Sequence, residues 1–205
     1  MFTGIVTAIG TIASVEDRAD RRVTISCPFD PETIDIGASI ACSGVCLTVV
    51  DRGGKPGDAW FAVDVSGETV SRSVANMWQQ GRRLNLEPAL RLGDELGGHM
   101  VTGHVDTSGT VQLVKTEGGS TRLAIRARAE FAVFIAPKGS ITVDGVSLTV
   151  NDVRDRTDGS CDFALNIIPH TAEVTTLGSL AEGDSVNLEI DVLARYLKRM
   201  QSLQN

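Results

Sequence analysis

The chain has 205 residues, 42% of them hydrophobic and 22% charged, with a formal net charge of -7. That acidic balance, with no block of Lys or Arg, argues against a nucleic-acid partner, and no apolar run reaches the length of a membrane span. The length accommodates one large domain or two small ones of roughly a hundred residues each.

The first residues, Met1-Phe2-Thr3-Gly4-Ile5-Val6, lack the basic start and apolar core of a signal peptide and read as a strand. A cytoplasmic location is therefore expected. Period-2 alternation and turn residues predict strands near 2–7, 10–15, 22–27, 38–42, 45–50, 59–65 and 82–87. Arg52 to Asp58 reads as a turn, and Glu68 to Trp78 predicts a short helix. Pro88 to Gly98, with a proline, several glycines and no clear period, reads as a linker.

The chain then repeats itself. Met100-Val101-Thr102-Gly103-His104-Val105 echoes the N-terminal residues. Gly44-Val45-Cys46-Leu47-Thr48-Val49 is answered by Gly145-Val146-Ser147-Leu148-Thr149-Val150. Phe61-Ala62-Val63-Asp64-Val65 is answered by Phe163-Ala164-Leu165-Asn166-Ile167, and Asn85-Leu86-Glu87 by Asn187-Leu188-Glu189. Matches in the same order and spacing imply a tandem duplication. In each copy the alternation puts Val45, Leu47 and Val49, or their equivalents, on a core face, with Cys46 and Thr48, or Ser147 and Thr149, on the other. The expected fold class is all-β: two tandem six-stranded antiparallel Greek-key barrels, residues 1–98 and 99–191, whose closure protects sheet edges. Residues 192–205 change period. Leu193, Tyr196, Leu197, Met200 and Leu203 form one apolar stripe of a C-terminal amphipathic helix, which either packs on its own barrel or joins copies of the chain.

Cys27, Cys42, Cys46 and Cys161 match no common zinc spacing and are expected to be reduced thiols. A turn or bulge at Gly44 separates Cys42 from Cys46. His99 and His104 are five positions apart and fall on opposite faces of any strand, which argues against a shared metal.

Together, Met1 to Val6, Gly44 to Val49, Gly97-Gly98-His99-Met100-Val101-Thr102-Gly103-His104 and Asp144 to Val150 resemble the riboflavin synthase family over essentially the whole chain. The resemblance implies a homotrimer held partly by the C-terminal helix, no metal and no organic cofactor. It implies dismutation of two 6,7-dimethyl-8-ribityllumazine molecules, one becoming riboflavin and the other 5-amino-6-ribitylaminouracil. Carried over by position, one lumazine is expected against Gly4, Ile5, Val6, Cys46, Leu47, Thr48, Asp64, Val65, Ser66, Gly67, Glu68 and Thr69. The other is expected against Gly103, His104, Val105, Ser147, Leu148, Thr149, Asn166, Ile167, Ile168, Pro169, His170 and Thr171. Lys138 resembles a residue that reaches a neighbouring subunit's ligand.

Donor and acceptor cannot have identical surroundings, so differences between the repeats carry information: Cys46 against Ser147, Ile5 against His104, Glu68 against His170. His104 is the expected proton-transfer group, because its side chain ordinarily titrates near neutrality. Cys46 is expected to orient the ring and Ser147 to position a water or hydroxide. Asp191 matches a family carboxylate thought to assist Ser147, and its position equally fits a helix N-cap. Phe2 is a candidate stacking or lid residue. Where the family often has a second cysteine, this chain has Val45. The rival reading is a non-catalytic lumazine- or flavin-binding antenna on the same duplicated barrel. A reductase barrel would require a βαβ nicotinamide domain that the pattern lacks.

Overall fold

The computed structural model describes residues 1–203; positions 204 and 205 of the expected helical segment lie outside the described residues. The first repeat contributes β1 (Ala8–Glu16), β2 (Arg21–Cys27), β3 (Ser39–Cys42), β4 (Val45–Lys55), β5 (Asp58–Val65), α1 (Gly67–Arg72) and β6 (Arg83–Pro88). These strands close into an antiparallel barrel of order β1-β2-β5-β4-β3-β6, in which the chain crosses from β2 to β3 as in a Greek key. The second repeat contributes β7 (Thr107–Glu117), β8 (Ser120–Ala127), α2 (Ala129–Ala132), β9 (Ser140–Val143), β10 (Val146–Thr149), β11 (Asp152–Asp155), β12 (Cys161–Ile167), α3 (Pro169–Val174) and β13 (Ser185–Ile190). The helix α4 (Val192–Gln201) follows.

The second sheet reads β10-β9-β13-β7-β8-β12-β11, seven strands rather than six. Its two ends, β10 and β11, are the two halves of the strand equivalent to β4. In β4 the register slips between Val49 and Asp51. In the second repeat the same slip interrupts the strand at Val150 and Asn151, whose amides donate to opposite neighbours, Gly139 O at 2.9 Å and Ala164 O at 2.8 Å. A bulge therefore turns one strand into two without changing the cyclic order.

Each barrel is filled by its own apolar side chains: Ile25, Val49, Phe61, Val63 and Leu86 in the first, Ile125, Val150, Phe163, Leu165 and Leu188 in the second. The expected core face of the repeated motif is buried, Val45, Leu47 and Val49 being at most 5% exposed, while Thr48 is exposed. Two expectations change. Residues 3–7 form no strand; Phe2 alone pairs there, in an isolated antiparallel bridge with Val101. The segment 52–55 continues β4 beyond the expected turn, which tightens to Pro56-Gly57.

The barrels meet about a local pseudo-two-fold. The turns Ser43-Gly44 and Asp144-Gly145 have φ of 44° and 85°, and 45° and 80°, the left-handed geometry of two-residue hairpins that glycine accommodates. A Cβ on Gly145 would lie 2.7 Å from the amide nitrogen of Gly44, so only glycine permits this approach. Asn85 and Asn187 then bond across the junction. Asn85 Nδ2 donates to Asp144 O at 2.8 Å and its Oδ1 accepts from Thr176 N at 2.8 Å. Asn187 Nδ2 donates to Ser43 O at 2.9 Å and its Oδ1 accepts from Val74 N at 2.8 Å. Both amides are buried and satisfied, so they fix the relative placement of the barrels.

Candidate functional site

Two short arms, residues 2–7 and 101–106, run between the barrels and are gripped in the same way. The Glu87 carboxylate accepts from Thr3 N at 2.7 Å, Thr3 Oγ1 at 2.8 Å and Gly4 N at 3.0 Å. Glu189 accepts from Thr102 N at 2.7 Å, Thr102 Oγ1 at 2.7 Å and Gly103 N at 3.0 Å. Burial raises the pKa of Glu87, and the bonds from Thr3 and Gly4 oppose that rise. Each glutamate belongs to its own repeat's last strand.

Each arm, however, lies on the other repeat's wall. Ser147 N donates to Gly4 O and Cys46 N donates to Gly103 O, both at 2.8 Å. A Cβ on Gly4 would fall 2.5 Å from Ser147 Cβ, and one on Gly103 would fall 2.5 Å from Cys46 Cβ. Val6 packs on the second core and Val105 on the first. Each arm thus lies on the opposite wall from the one the sequence grouping expects: Gly4 to Val6 on the Ser147 strand, and Gly103 to Val105 on the Cys46 strand. Duplication alone cannot reveal such an exchange, because both groupings give the same internal sequence match.

The walls of the two sites are the outer faces of the repeated strands. Leu47 is buried behind its wall and Leu148 is half-buried behind the other. Cys46 and Ser147 are half-buried, and Thr48 and Thr149 are exposed beside them. At the end of β5, the Asp64 carboxylate receives Arg22 Nε at 2.6 Å and Arg22 Nη2 at 3.0 Å, and that guanidinium lowers its pKa. Its counterpart Asn166 is exposed and stands opposite Arg122, which pairs with Asp152 instead. Val65 and Ile167 are buried. Ser66 Oγ then accepts from Thr69 N at 3.2 Å and caps α1, which starts at Gly67, leaving Glu68 paired with Arg72 at 2.8 Å. In the second repeat Pro169 starts α3, and Ile168 and His170 are exposed while Thr171 is half-buried.

One residue of the site lay outside the sequence expectation. His99 Nδ1 lies 2.7 Å from Ser147 Oγ, and its Nε2 lies 3.3 Å from Thr142 Oγ1. Two tautomers satisfy both contacts: Nδ1 accepting from the serine hydroxyl with Nε2–H donating to Thr142 Oγ1, or the reverse. Burial lowers the pKa of His99, against the opposing charges of Asp191 and Glu189. The signal was the pair of glycines before it. A Cβ on Gly98 would meet Thr3 O at 2.1 Å and Ser147 Oγ at 2.9 Å, so glycine lets the chain deliver His99 to this wall. The first repeat has no equivalent chain: Ala41 stands where Thr142 does, and the Cys46 thiol bonds no histidine among the described residues.

Asp191 is the N-cap of α4, its Oδ1 accepting from Leu193 N at 2.9 Å, and its charge acts on His99. His104 is exposed at the tip of its arm and makes no hydrogen bond among the described residues. Phe2 is 0% exposed, packed with Ala41 and Val101 between the barrels, which replaces the expected lid with a buried anchor. Lys138 is exposed and has φ of 66°, where the first repeat uses Gly37 at 86°. A lysine held in the left-handed region is a local strain of the kind found at functional positions. Beside Ile5, a cleft of about 450 Å³ opens, lined by Thr3, Thr7, Glu87, Pro88 and Gly97 among others. The four cysteines are unpaired, and burial raises the pKa of Cys27, Cys42 and Cys161.

Comparison with known proteins follows this geometry. The family model for the lumazine binding domain matches twice, at residues 3–89 and 102–191. A riboflavin synthase of Brucella abortus is 48% identical over 206 aligned positions, covering 100% of both chains. One of Mycobacterium tuberculosis is 44% identical over 202 positions, covering 98% of both. Among solved structures, LumP complexed with 6,7-dimethyl-8-(1'-D-ribityl) lumazine superposes over 93% of this chain and 99% of that one, with a TM-score of 0.77 at 23% identity, a likeness of fold. With two lumazine binding domains in tandem and full-length relatives of that name, the chain belongs to the riboflavin synthase family.

Proposed function

We propose that this protein converts two molecules of 6,7-dimethyl-8-ribityllumazine into riboflavin and 5-amino-6-ribitylaminouracil, acting as a homotrimer in the cytoplasm. The observation that carries the reading is a duplicated site whose two copies differ chemically: the hydroxyl of Ser147 is backed by His99, and the matching thiol of Cys46 is not. A dismutation of identical molecules requires such inequality, since one molecule gives up a four-carbon unit that the other accepts. The atoms of two lumazines are conserved in the two products, so the reaction needs no oxidant or reductant.

The pocket of Gly4 to Val6, Ser147 to Thr149 and Asn166 to Thr171 holds the lumazine that is attacked at ring carbon 7. His99 takes the proton from a water held by Ser147, which makes the nucleophile; the same oxygen leaves carbon 7 as water, that proton returned to it, as the four-carbon unit is transferred. The pocket of Gly103 to Val105, Cys46 to Thr48 and Asp64 to Thr69 holds the lumazine that loses a methyl proton, with His104 positioned to receive it. Main-chain groups beside the glycines bind the flat ring, and Asp64, Ser66, Asn166 and the threonines bind the ribityl hydroxyls. Holding both rings in contact converts a bimolecular encounter into an oriented one, worth up to roughly 7–11 kcal/mol. In this reading residues 1–98 and 99–191 are the two repeats, each lending its arm to the other's pocket. Residues 192–205 join subunits through the exposed Leu193, Tyr196, Leu197 and Met200, so that unlike pockets of two chains face each other, with Lys138 reaching across.

The test is to incubate the pure protein with 6,7-dimethyl-8-ribityllumazine alone. Growth of riboflavin absorbance supports the enzyme, and persistent lumazine fluorescence without flavin supports the antenna.

A further inference from the structure

The arm that carries His104 is tied down at its far end, and the arm that carries Ile5 is not. Both arms donate a main-chain hydrogen bond to the last strand of their repeat: Thr7 N to Leu86 O and Asp106 N to Leu188 O, each at 2.9 Å. Beyond that the repeats diverge. Thr7 adds only a long contact, 3.3 Å, to the same Leu86 O. Asp106 places its carboxylate against Ile190 N at 2.9 Å and receives Arg195 of α4 at 2.7 Å and 2.9 Å. Pro88, the first-repeat counterpart of Ile190, has no amide proton to satisfy, and no helix follows it there.

This fork-on-carboxylate pair is the one salt bridge between α4 and the barrels among the described residues. The Asp106 side chain is 8% exposed and that of Arg195 38%, so the carboxylate is buried while the guanidinium meets solvent at the helix surface. No residue of α4 is buried, and its apolar side chains Leu193, Tyr196, Leu197 and Met200 all face outward. The helix is therefore held to its own chain by the Asp191–Ile190 connection and by Arg195. Its seat is completed only by whatever covers that stripe.

We infer that Asp106 and Arg195 are positioning residues for the reaction: the pair makes the placement of the Gly103-His104-Val105 arm depend on the seating of the C-terminal helix. Seating of the helix then bears on the arm of one pocket only, the one built on Cys46. The inference rests on the proposed reading that His104 faces a lumazine.

The test uses the full-length protein. Arg195→Ala, Arg195→Lys, Asp106→Asn and the solvent-facing control Lys198→Ala are compared for flavin formation, mass in solution and riboflavin binding by fluorescence quenching. Each is measured also in a His104→Gln background. Arg195→Ala and Asp106→Asn are expected to lower kcat on the order of tenfold with little change in KM. Arg195→Lys recovers most of the rate, and Lys198→Ala matches the parent. In the His104→Gln background, Arg195→Ala adds less than about twofold, because residues acting through one group are not additive.

An Arg195→Ala rate equal to the control overturns the inference, as does an undiminished loss in the His104→Gln background. A loss that disappears at protein concentrations restoring the parent mass assigns the pair to assembly alone and also overturns it. Full activity of His104→Gln by itself overturns the reading of His104, and this route with it, an outcome distinct from the others.

Discussion

His99 and Ser147 share a 2.7 Å contact between Nδ1 and Oγ across 48 residues of chain, and nothing in the first repeat matches it. Everything else near that bond is close to symmetric: the glutamate grips, the glycine contacts and the asparagine crossings come in pairs. A duplicated scaffold thus holds two similar ligands alike while treating their reacting atoms differently.

His99→Gln keeps a hydrogen-bond partner for Ser147 and removes the base. Steady-state flavin formation is expected to fall by about 10²–10⁴-fold, with riboflavin binding nearly unchanged. Cys46→Ser is expected to lose less than tenfold on the same scale. Because burial lowers the pKa of His99, the acid limb of kcat in the parent lies below the ordinary histidine range near 6.5. Activity is lost as pH falls through that limb, and the limb disappears in His99→Gln.

Asn187→Ala removes bonds to Ser43 O and Val74 N and leaves both buried groups unpaired. Asn85→Ala does the same to the buried Asp144 O and to the amide of the half-buried Thr176. Each is expected to cost about 2–4 kcal/mol in denaturant unfolding, summed over two bonds. The double variant should lose less than the sum, since both hold one junction.

Asp144 is buried at that junction, accepting from Asn187 N at 2.8 Å. Burial is the main cause that pushes its pKa up to about 7 from 3.8, with Asp184 adding to the rise and the Asn187 bond and Arg82 opposing it. Between those two values the folded protein holds a proton that the unfolded chain releases. Stability from this group therefore falls as pH rises through that window and levels off above it. Asp144→Asn tolerates the φ of 45° and cannot ionise. Thermal melts should show a flatter pH profile and, above pH 7, a melting temperature roughly 2–8 °C higher than the parent.

Gly103→Ala puts a Cβ at 2.5 Å from Cys46 Cβ and 2.9 Å from Phe2 Cε2, at a φ of 79°. Strain and overlap together should destabilise the protein by about 2–4 kcal/mol. The same change at Gly81, which has open space at a φ of 84°, should cost about 1–2 kcal/mol from the backbone alone. Chemical denaturation of the pair separates the two contributions.

The barrels were legible in the sequence because a strand's alternation survives duplication twice over: Val45, Leu47 and Val49 face in, and Val146, Leu148 and Val150 repeat the pattern. The hairpin at Gly44 and the N-cap at Asp191 follow from local chemistry and could be read locally. The exchange of arms could not, because Gly4 and Gly103 fit either wall equally well in an internal alignment. His99 escaped for a related reason. Its partner Ser147 is distant in sequence, and the expectation looked for a carboxylate, Asp191, in the place that a histidine fills. Arg195 likewise reads as one more polar residue on a helix until its partner Asp106 is in view.

The central claim is that flavin forms only where one pocket of each kind faces the other. Thr48→Trp and Thr149→Trp fill the two exposed walls separately without touching either core, and flavin formation is measured for each alone and for the two co-expressed. The account predicts that each variant alone is inactive, and that the mixed assembly regains activity at interfaces pairing an open Cys46 pocket with an open Ser147 pocket. Parental activity in either variant alone, or no recovery in mixed assemblies of normal mass, would contradict it.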